Sequence, residues 1–295
     1  MTIFKGTFAS LFLAINTLLC CVPIYLLALP RALIRIPRVT VAIDGAMTRV
    51  IDTWVGCNRF MLRTLAIARI DVATQIDEPL SRNRWYVVIS NHQGWSDILV
   101  LQNTFLALIP PLKFFVKRPL IWVPGIGVAM WLLGFPYVRR YSREALARDP
   151  GLRRYDQAST QRACEVFKHR PTSVLNFMEG TRFTPEKHAY QKSRYRNLLT
   201  PKTGGFGYVV GALGERIDHI LDVTIVYPHG APTFWEFISG QCSEVRVEIV
   251  SHRVPPALLD AHDELRPDVR QQLHTWVDQL WIRKDARIDE LLEVN

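Results

Sequence analysis

The longest apolar feature of the chain is an uncharged run of 24 residues from Thr7 to Pro30 (TFASLFLAINTLLCCVPIYLLALP). As a helix rising ~1.5 Å per residue it reaches roughly 36 Å, enough to cross the ~30 Å hydrocarbon core of a bilayer with some tilt. The pattern predicts a retained membrane segment. A cleaved leader has an apolar part of only ~7–15 residues, and no A-x-A-like site precedes Arg31. Pro23 is placed to bend the segment into a re-entrant hairpin with both ends on one side. Only Lys5 precedes the run, whereas Arg31, Arg35, Arg38 and Arg49 follow it, so by either route the positive-inside bias leaves the rest of the chain in the cytoplasm.

Beyond this run, Met47, Val50, Ile51, Trp54, Met61, Leu62 and Leu65 recur at helical spacing with Arg49, Arg59 and Arg63 between them. Such a helix either lies in the membrane interface or packs on the body of the protein. Short apolar or β-branched runs then predict strands at Trp85–Ser90, Phe114–Lys117, Ser173–Met178, Leu221–Tyr227 and Glu244–Val250. Stretches long enough for helices lie between them, notably Ser142–Asp149 and Thr160–His169. The alternation predicts an α/β fold with reactive loops at strand ends. A second uncharged run, Pro119–Val138, contains Pro119, Pro124, Pro136, Gly125, Gly127 and Gly134, which would leave backbone groups unsatisfied in lipid. It reads as a buried or interfacial segment, fit to accept an acyl chain. Near the C-terminus, Pro267 opens an amphipathic helix carrying Val269, Leu273, Trp276, Val277, Leu280 and Trp281.

With 36 Lys and Arg against 27 Asp and Glu the formal charge is +9, which points to an anionic partner. The five cysteines include no C-x-x-C, so neither a disulfide framework nor a structural zinc site is favoured. The basic residues do not interleave with stacking aromatics, which speaks against nucleic acid.

Candidate chemistry sits at two strand ends. WYVVIS runs into Asn91-His92-Gln93-Gly94-Trp95-Ser96-Asp97. On a regular helix His92 and Asp97 would lie about 140° apart. If the chain turns at Gly94 and Asp97 enters the first turn of the next helix, its carboxylate reaches imidazole Nδ1, fixes the tautomer and leaves Nε2 to take a proton. Donors near the Gly94 turn are then placed to hold an oxyanion. A structural histidine is the alternative reading of this segment alone. A metal lacks a third ligand, since His188 and His229 show no ligand spacing. Ser96 lacks the second glycine of a nucleophile elbow. The second strand, SVLNFM, ends in Glu179-Gly180-Thr181-Arg182-Phe183, and both loops are expected to face one cleft. Arg182 offers a fork for phosphate or carboxylate, with Lys187, Lys192, Arg194, Arg196 and Lys202 nearby and only Glu186 opposing.

Five blocks, N-H-x-x-x-x-D at 91–97, K-R-P-L-x-x-x-P-x-x-G at 117–127, E-G-T-R-F at 179–183, P-K-T-G-G-F at 201–206 and V-T-I-V-Y-P at 223–228, stand in order. Over about residues 85–230 the chain resembles the 1-acylglycerol-3-phosphate acyltransferase family of glycerolipid acyltransferases, in the branch that includes bacterial inner-membrane members. The resemblance implies a mixed sheet flanked by helices with an N-terminal membrane helix. It divides the chain into a membrane anchor (1–38), an amphipathic interfacial region (39–80), an α/β acyltransferase domain (81–255) and a C-terminal amphipathic helix (256–295). It implies transfer of a fatty acyl group from acyl-CoA or acyl carrier protein to the sn-2 hydroxyl of lysophosphatidate or another lysophospholipid, at a bacterial inner membrane, with no cofactor and no metal. His92 would be the base and Asp97 its partner. Lys117, Arg140 and Arg182 would hold phosphate, Glu179, Gly180 and Thr181 would shape the acceptor pocket, and Pro201 with the 204–206 turn would support the donor side. Pro119 and Arg139 depart from the acidic residues that many members carry at those places, and bear on the acceptor headgroup.

Overall fold

The computed structural model describes residues 1–34, 36–138, 148–149, 161–162, 164–259 and 267–293. Arg140 and most of the expected helix at 142–149 lie outside the described residues; of the stretch expected as a helix at 160–169, residues 161–162 and 164–165 are helical and Val166–His169 form a 3-10 turn. The chain opens with a helical hairpin, α1 (Thr2–Leu33) followed by α2 (Pro37–Thr64). Pro23 does not make the hairpin: α1 continues through it, and the chain reverses between Leu33 and Pro37, where Pro37 starts α2. A proline there has no amide to waste and a preset φ. The two helices are tied by Asn16, whose Nδ2 donates to Asn58 Oδ1 at 2.8 Å and to Trp54 O at 3.0 Å. Of the two readings of the apolar face of α2, the structure shows the packed one at Met47, Met61 and Leu62, which are buried together with Val55.

The strands of the main sheet are β1 (Arg69–Gln75), β2 (Trp85–Ser90), β3 (Leu112–Phe114), β6 (Ser173–Phe177), β7 (Ile217–Val226) and β8 (Glu244–His252), with β4 (Val116–Lys117) and β5 (Tyr137–Val138) forming a separate ribbon. The main order is β1-β8-β7-β2-β6-β3. All neighbours run parallel except the β7–β8 pair, so the sheet is mixed. β2 and β7 are buried almost throughout because helices cover both faces. β1 escapes the sequence reading. As an exposed edge strand with only Ile70 and Val72 as large apolar residues, it needs one partner, β8, and little burial. The sheet thus begins within the 39–80 stretch. The expected strand at Phe114–Lys117 is split between the two sheets.

Between β4 and β5 the prolines and glycines break the second apolar run into a short 3-10 turn, Arg118–Trp122, and helix α4 (Ile126–Leu132). The helix Pro267–Glu293 docks on the sheet core, with Trp281 fully buried and Lys284 Nζ donating to Val223 O at 2.7 Å. The parallel β2–β6 pairing, in which Ser90 lies opposite Phe177, delivers the segments after both strands to one edge.

Candidate active site

At that edge the chain turns by a set of backbone contacts that fix the imidazole. Asn91 continues β2 with its side chain: Nδ2 donates to Ile225 O at 2.8 Å, and Ile225 N donates to Asn91 Oδ1 at 2.9 Å. The His92 ring lies flat on Phe177, with ring centres 3.9 Å apart, and its Nδ1 is 2.8 Å from Asp97 Oδ2. Asp97 stands in the first turn of α3 (Ser96–Phe105). The same Oδ2 accepts the amides of Gln93 at 2.7 Å and Gly94 at 3.0 Å, while Oδ1 accepts the hydroxyl of Tyr227 at 2.7 Å. Tyr227 also meets Ser96 Oγ at 2.8 Å. Space at Gly94 is tight, since a Cβ there would lie 3.0 Å from Ser96 Oγ and 3.4 Å from Pro232 O.

Four donors thus converge on one fully buried carboxylate. Held against Asp97, Nδ1 carries the hydrogen, and Nε2 is the basic nitrogen. The His92 side chain remains 16% exposed. Of the donors expected near Gly94 to hold an oxyanion, three are committed elsewhere. The amides of Gln93 and Gly94 point back at Asp97 and that of His92 at Glu179, so none of the three is available.

Glu179 is completely buried and does not line a pocket. Its Oε1 accepts His92 N at 2.8 Å and its Oε2 accepts Leu199 N at 3.0 Å, so it joins the His92 loop to the 198–199 backbone from behind. Burial pushes its carboxyl up to about 7 against the pull of the two amides. A carboxyl raised from 4.5 contributes stability that is complete below about pH 4.5 and is lost as the pH rises through about 7, on the order of 3 kcal/mol. Thermal unfolding should show that slope in the wild type and lose it in Glu179→Gln. That variant should also be less stable by about 1–3 kcal/mol at acidic pH, because its NH₂ faces a backbone N–H.

Gly180 turns with φ +66°, a conformation that favours glycine, and Lys202 packs where a Cβ would point. Thr181 Oγ1 accepts from Lys187 Nζ at 3.0 Å, and the same ammonium donates to Arg182 O at 2.8 Å, so Lys187 clamps this loop. Phe183 N donates to His92 O at 2.7 Å, which puts the two loops side by side. The Arg182 guanidinium stacks over exposed Trp95, 4.6 Å from the ring centre, with no acidic partner among the described residues.

Lys117 is exposed on β4, in the small ribbon that follows β3. Arg194 and Arg196 pair with Asp278 and Asp289 of the C-terminal helix, so they brace the fold. Among the described residues no three His, Cys, Asp or Glu side chains gather to hold a metal ion. Behind Trp95 opens a cavity of about 310 Å³ walled by apolar residues of α1, α2, α3 and α4, among them Leu13, Val55, Leu99 and Met130. The sequence reading assigned no role to Tyr227, although it lies inside the V-T-I-V-Y-P block.

Comparison with known proteins follows the same residues. The family described as Acyltransferase matches residues 71–228. Lysocardiolipin acyltransferase 1 of Gallus gallus is 25% identical over 257 residues, covering 83% of this chain and 63% of that protein. 1-acyl-sn-glycerol-3-phosphate acyltransferase 3 of Arabidopsis thaliana is 26% identical over 217 residues, covering 69% and 53%. The chain therefore spans between about half and three fifths of the length of these relatives. The crystal structure of the 1-acyl-sn-glycerophosphate (LPA) acyltransferase PlsC from Thermotoga maritima aligns with a TM-score of 0.46 and 19% identity, covering 91% of this chain and 97% of that one. The matched segment takes up more than half of the 295 residues, and it contains both loops of the site. The chain belongs to the acyltransferase family.

Proposed function

We propose that the protein is a membrane-bound O-acyltransferase that moves a fatty acyl group from a thioester, acyl-CoA or acyl carrier protein, to the sn-2 hydroxyl of 1-acylglycerol-3-phosphate. The observation that carries the reading is the His92–Asp97 pair beside an unpaired arginine on the adjoining loop, with an apolar cavity behind Trp95. His92 Nε2 takes the hydroxyl proton as the oxygen adds to the thioester carbonyl, and Asp97 stabilises the imidazolium. Collapse of the tetrahedral adduct breaks the carbon–sulfur bond, and the imidazolium returns its proton to the departing thiolate. The products are an ester and a free thiol, and no acyl-enzyme or cofactor is needed. Arg182 meets the acceptor's phosphate, and the acyl chain lies in the cavity among α1 to α4. Holding both amphiphiles at one loop makes the encounter effectively intramolecular.

The same reading places the protein at a membrane surface. Phe4, Phe8, Leu11, Ile15, Leu18, Val22, Leu26, Leu29 and Leu33 form an exposed stripe along the whole of α1. The opposite side of α1 is docked on the body, from Gly6 against Trp235 to Tyr25, whose hydroxyl donates to Gly125 O at 2.6 Å. A helix held to the body over that length inserts its stripe into one leaflet and does not cross the bilayer. The arginines after the apolar run, Arg31, Arg38 and Arg49, then meet the anionic headgroups of the leaflet that holds the stripe.

The names of the animal relatives favour a second acceptor, a lysocardiolipin, within the same chemistry. Turnover of the purified protein in detergent against a panel of lysophosphatidate, lysophosphatidylglycerol and monolysocardiolipin tests this. Lysophosphatidate is expected to give the highest kcat/KM, and preference for monolysocardiolipin would reassign the acceptor.

A further inference from the structure

At the opposite end of the sheet lies a second cavity, of about 530 Å³. It is bounded by residues that immediately precede parallel strands: Arg82 and Asn83 before β2, Pro110 and Pro111 before β3, and Arg170 and Thr172 before β6. The other wall comes from the end of α1 and the first half of α2. His92 and Glu179 follow the far ends of β2 and β6. The six residues of β2, at about 3.3 Å each, place the cavity roughly 20 Å from the His92 loop.

Five cationic side chains line it, Arg31, Arg49, Arg82, Lys113 and Arg170, against two carboxylates, Asp44 and Asp52. Asp44 is buried between Arg31 and Arg170, and Asp52 holds Arg82 at 2.7 Å. Arg49 and Lys113 have no acidic partner among the described residues. Burial, with Arg31 acting in the same direction, lowers the Lys113 ammonium to about 8. A desolvated cation with no counterion gains from any anion that enters. The remaining walls are apolar: Val41, Met47, Ile51, Leu132 and Leu133. Ile51, Pro110, Pro111 and Leu133 also line the apolar cavity behind Trp95, so the two spaces share a wall. Beside the chamber, Leu33, Ile36 and Val41 expose apolar surface at the hairpin bend.

We propose that this chamber binds the phosphate-bearing headgroup of an anionic phospholipid, at a site separate from the one at His92. Arg49 and Lys113 receive the phosphate, and the apolar walls receive the start of the acyl chains. The pairing of cations with apolar walls at the hairpin bend favours an amphiphile over a free anion. The site does not depend on the identity of the acyl acceptor, and its test uses no acyl donor.

Isothermal titration of the full chain in neutral detergent with dihexanoylphosphatidylglycerol, and separately with inorganic phosphate, reads the binding directly. The Arg49→Gln/Lys113→Gln double variant is expected to bind the short-chain lipid at least about tenfold more weakly than wild type, and Lys113→Arg to retain wild-type affinity within about threefold. Unchanged lipid affinity in the double variant would overturn the proposal, as binding would then belong to the His92 end. Equal loss in Lys113→Arg would overturn it as well, because the charge would not be what matters. Inorganic phosphate bound as tightly as the lipid, with the same sensitivity to the two substitutions, would assign the chamber to a free anion and overturn the lipid reading.

Discussion

Replacing His92 by alanine should lower acyl transfer by about 10²- to 10⁴-fold, the range expected for loss of a positioned general base. The fold should survive, because the contacts that shape this loop are made by other groups. The His92 amide still reaches Glu179, Phe183 N still donates to His92 O, and Asn91 still pairs with Ile225. Asp97 loses one of four donors and keeps the amides of Gln93 and Gly94 and the Tyr227 hydroxyl. Turnover per folded molecule, with thermal unfolding measured on the same sample, checks this. A lost base lowers kcat and leaves the KM for the acceptor nearly unchanged, whereas a disordered loop would raise KM and lower the melting temperature together.

The second large effect concerns Asp97, where two substitutions separate charge from scaffolding. An asparagine has one acceptor oxygen and one NH₂. The side where Oδ2 stands is met by two backbone amides and the imidazole N–H, all donors, so the asparagine oxygen must face them. Its NH₂ then meets Tyr227, whose hydroxyl oxygen can accept. The tautomer of His92 is therefore kept in Asp97→Asn, and what is lost is the negative charge that stabilises the imidazolium. Activity should fall by about 10²-fold, with a melting temperature close to wild type. Asp97→Ala also leaves the amides of Gln93 and Gly94 buried without an acceptor, at about 1–3 kcal/mol each, and should lose both activity and several degrees of thermal stability. Wild-type activity in Asp97→Asn would show that the carboxylate's charge plays no part.

Short apolar runs were enough to place β2, β6 and the second half of β7, as expected of buried strands, and the alternation of Glu244–Val250 placed β8. The His92–Asp97 contact was also legible, since a turn at Gly94 with Asp97 in the first turn of the next helix brings residues five apart together. Edge strand β1 was not legible, because a half-exposed strand carries little hydrophobic signal. Neither was the inward role of Glu179. Its position after the strand suggests a pocket, and only the β2–β6 register shows that its carboxylate is aimed at the His92 and Leu199 amides. Tyr227 illustrates the same limit: a tyrosine ending a buried strand reads as packing until the fold brings its hydroxyl to Asp97 across 130 residues of sequence. The basic segment after Arg182 misled in the other direction, since charge alone cannot tell that Arg194 and Arg196 are committed to the C-terminal helix.

The most direct test of direct, histidine-assisted transfer is a single-turnover reaction. Excess protein is mixed with radiolabelled acyl-CoA and lysophosphatidate, quenched in acid, and counted both as phosphatidate and as protein-bound acyl group. Wild-type protein should convert the label to phosphatidate with none on the polypeptide, and His92→Ala should form neither. Label that accumulates on the protein, or phosphatidate formed by His92→Ala at the wild-type rate, would contradict the account.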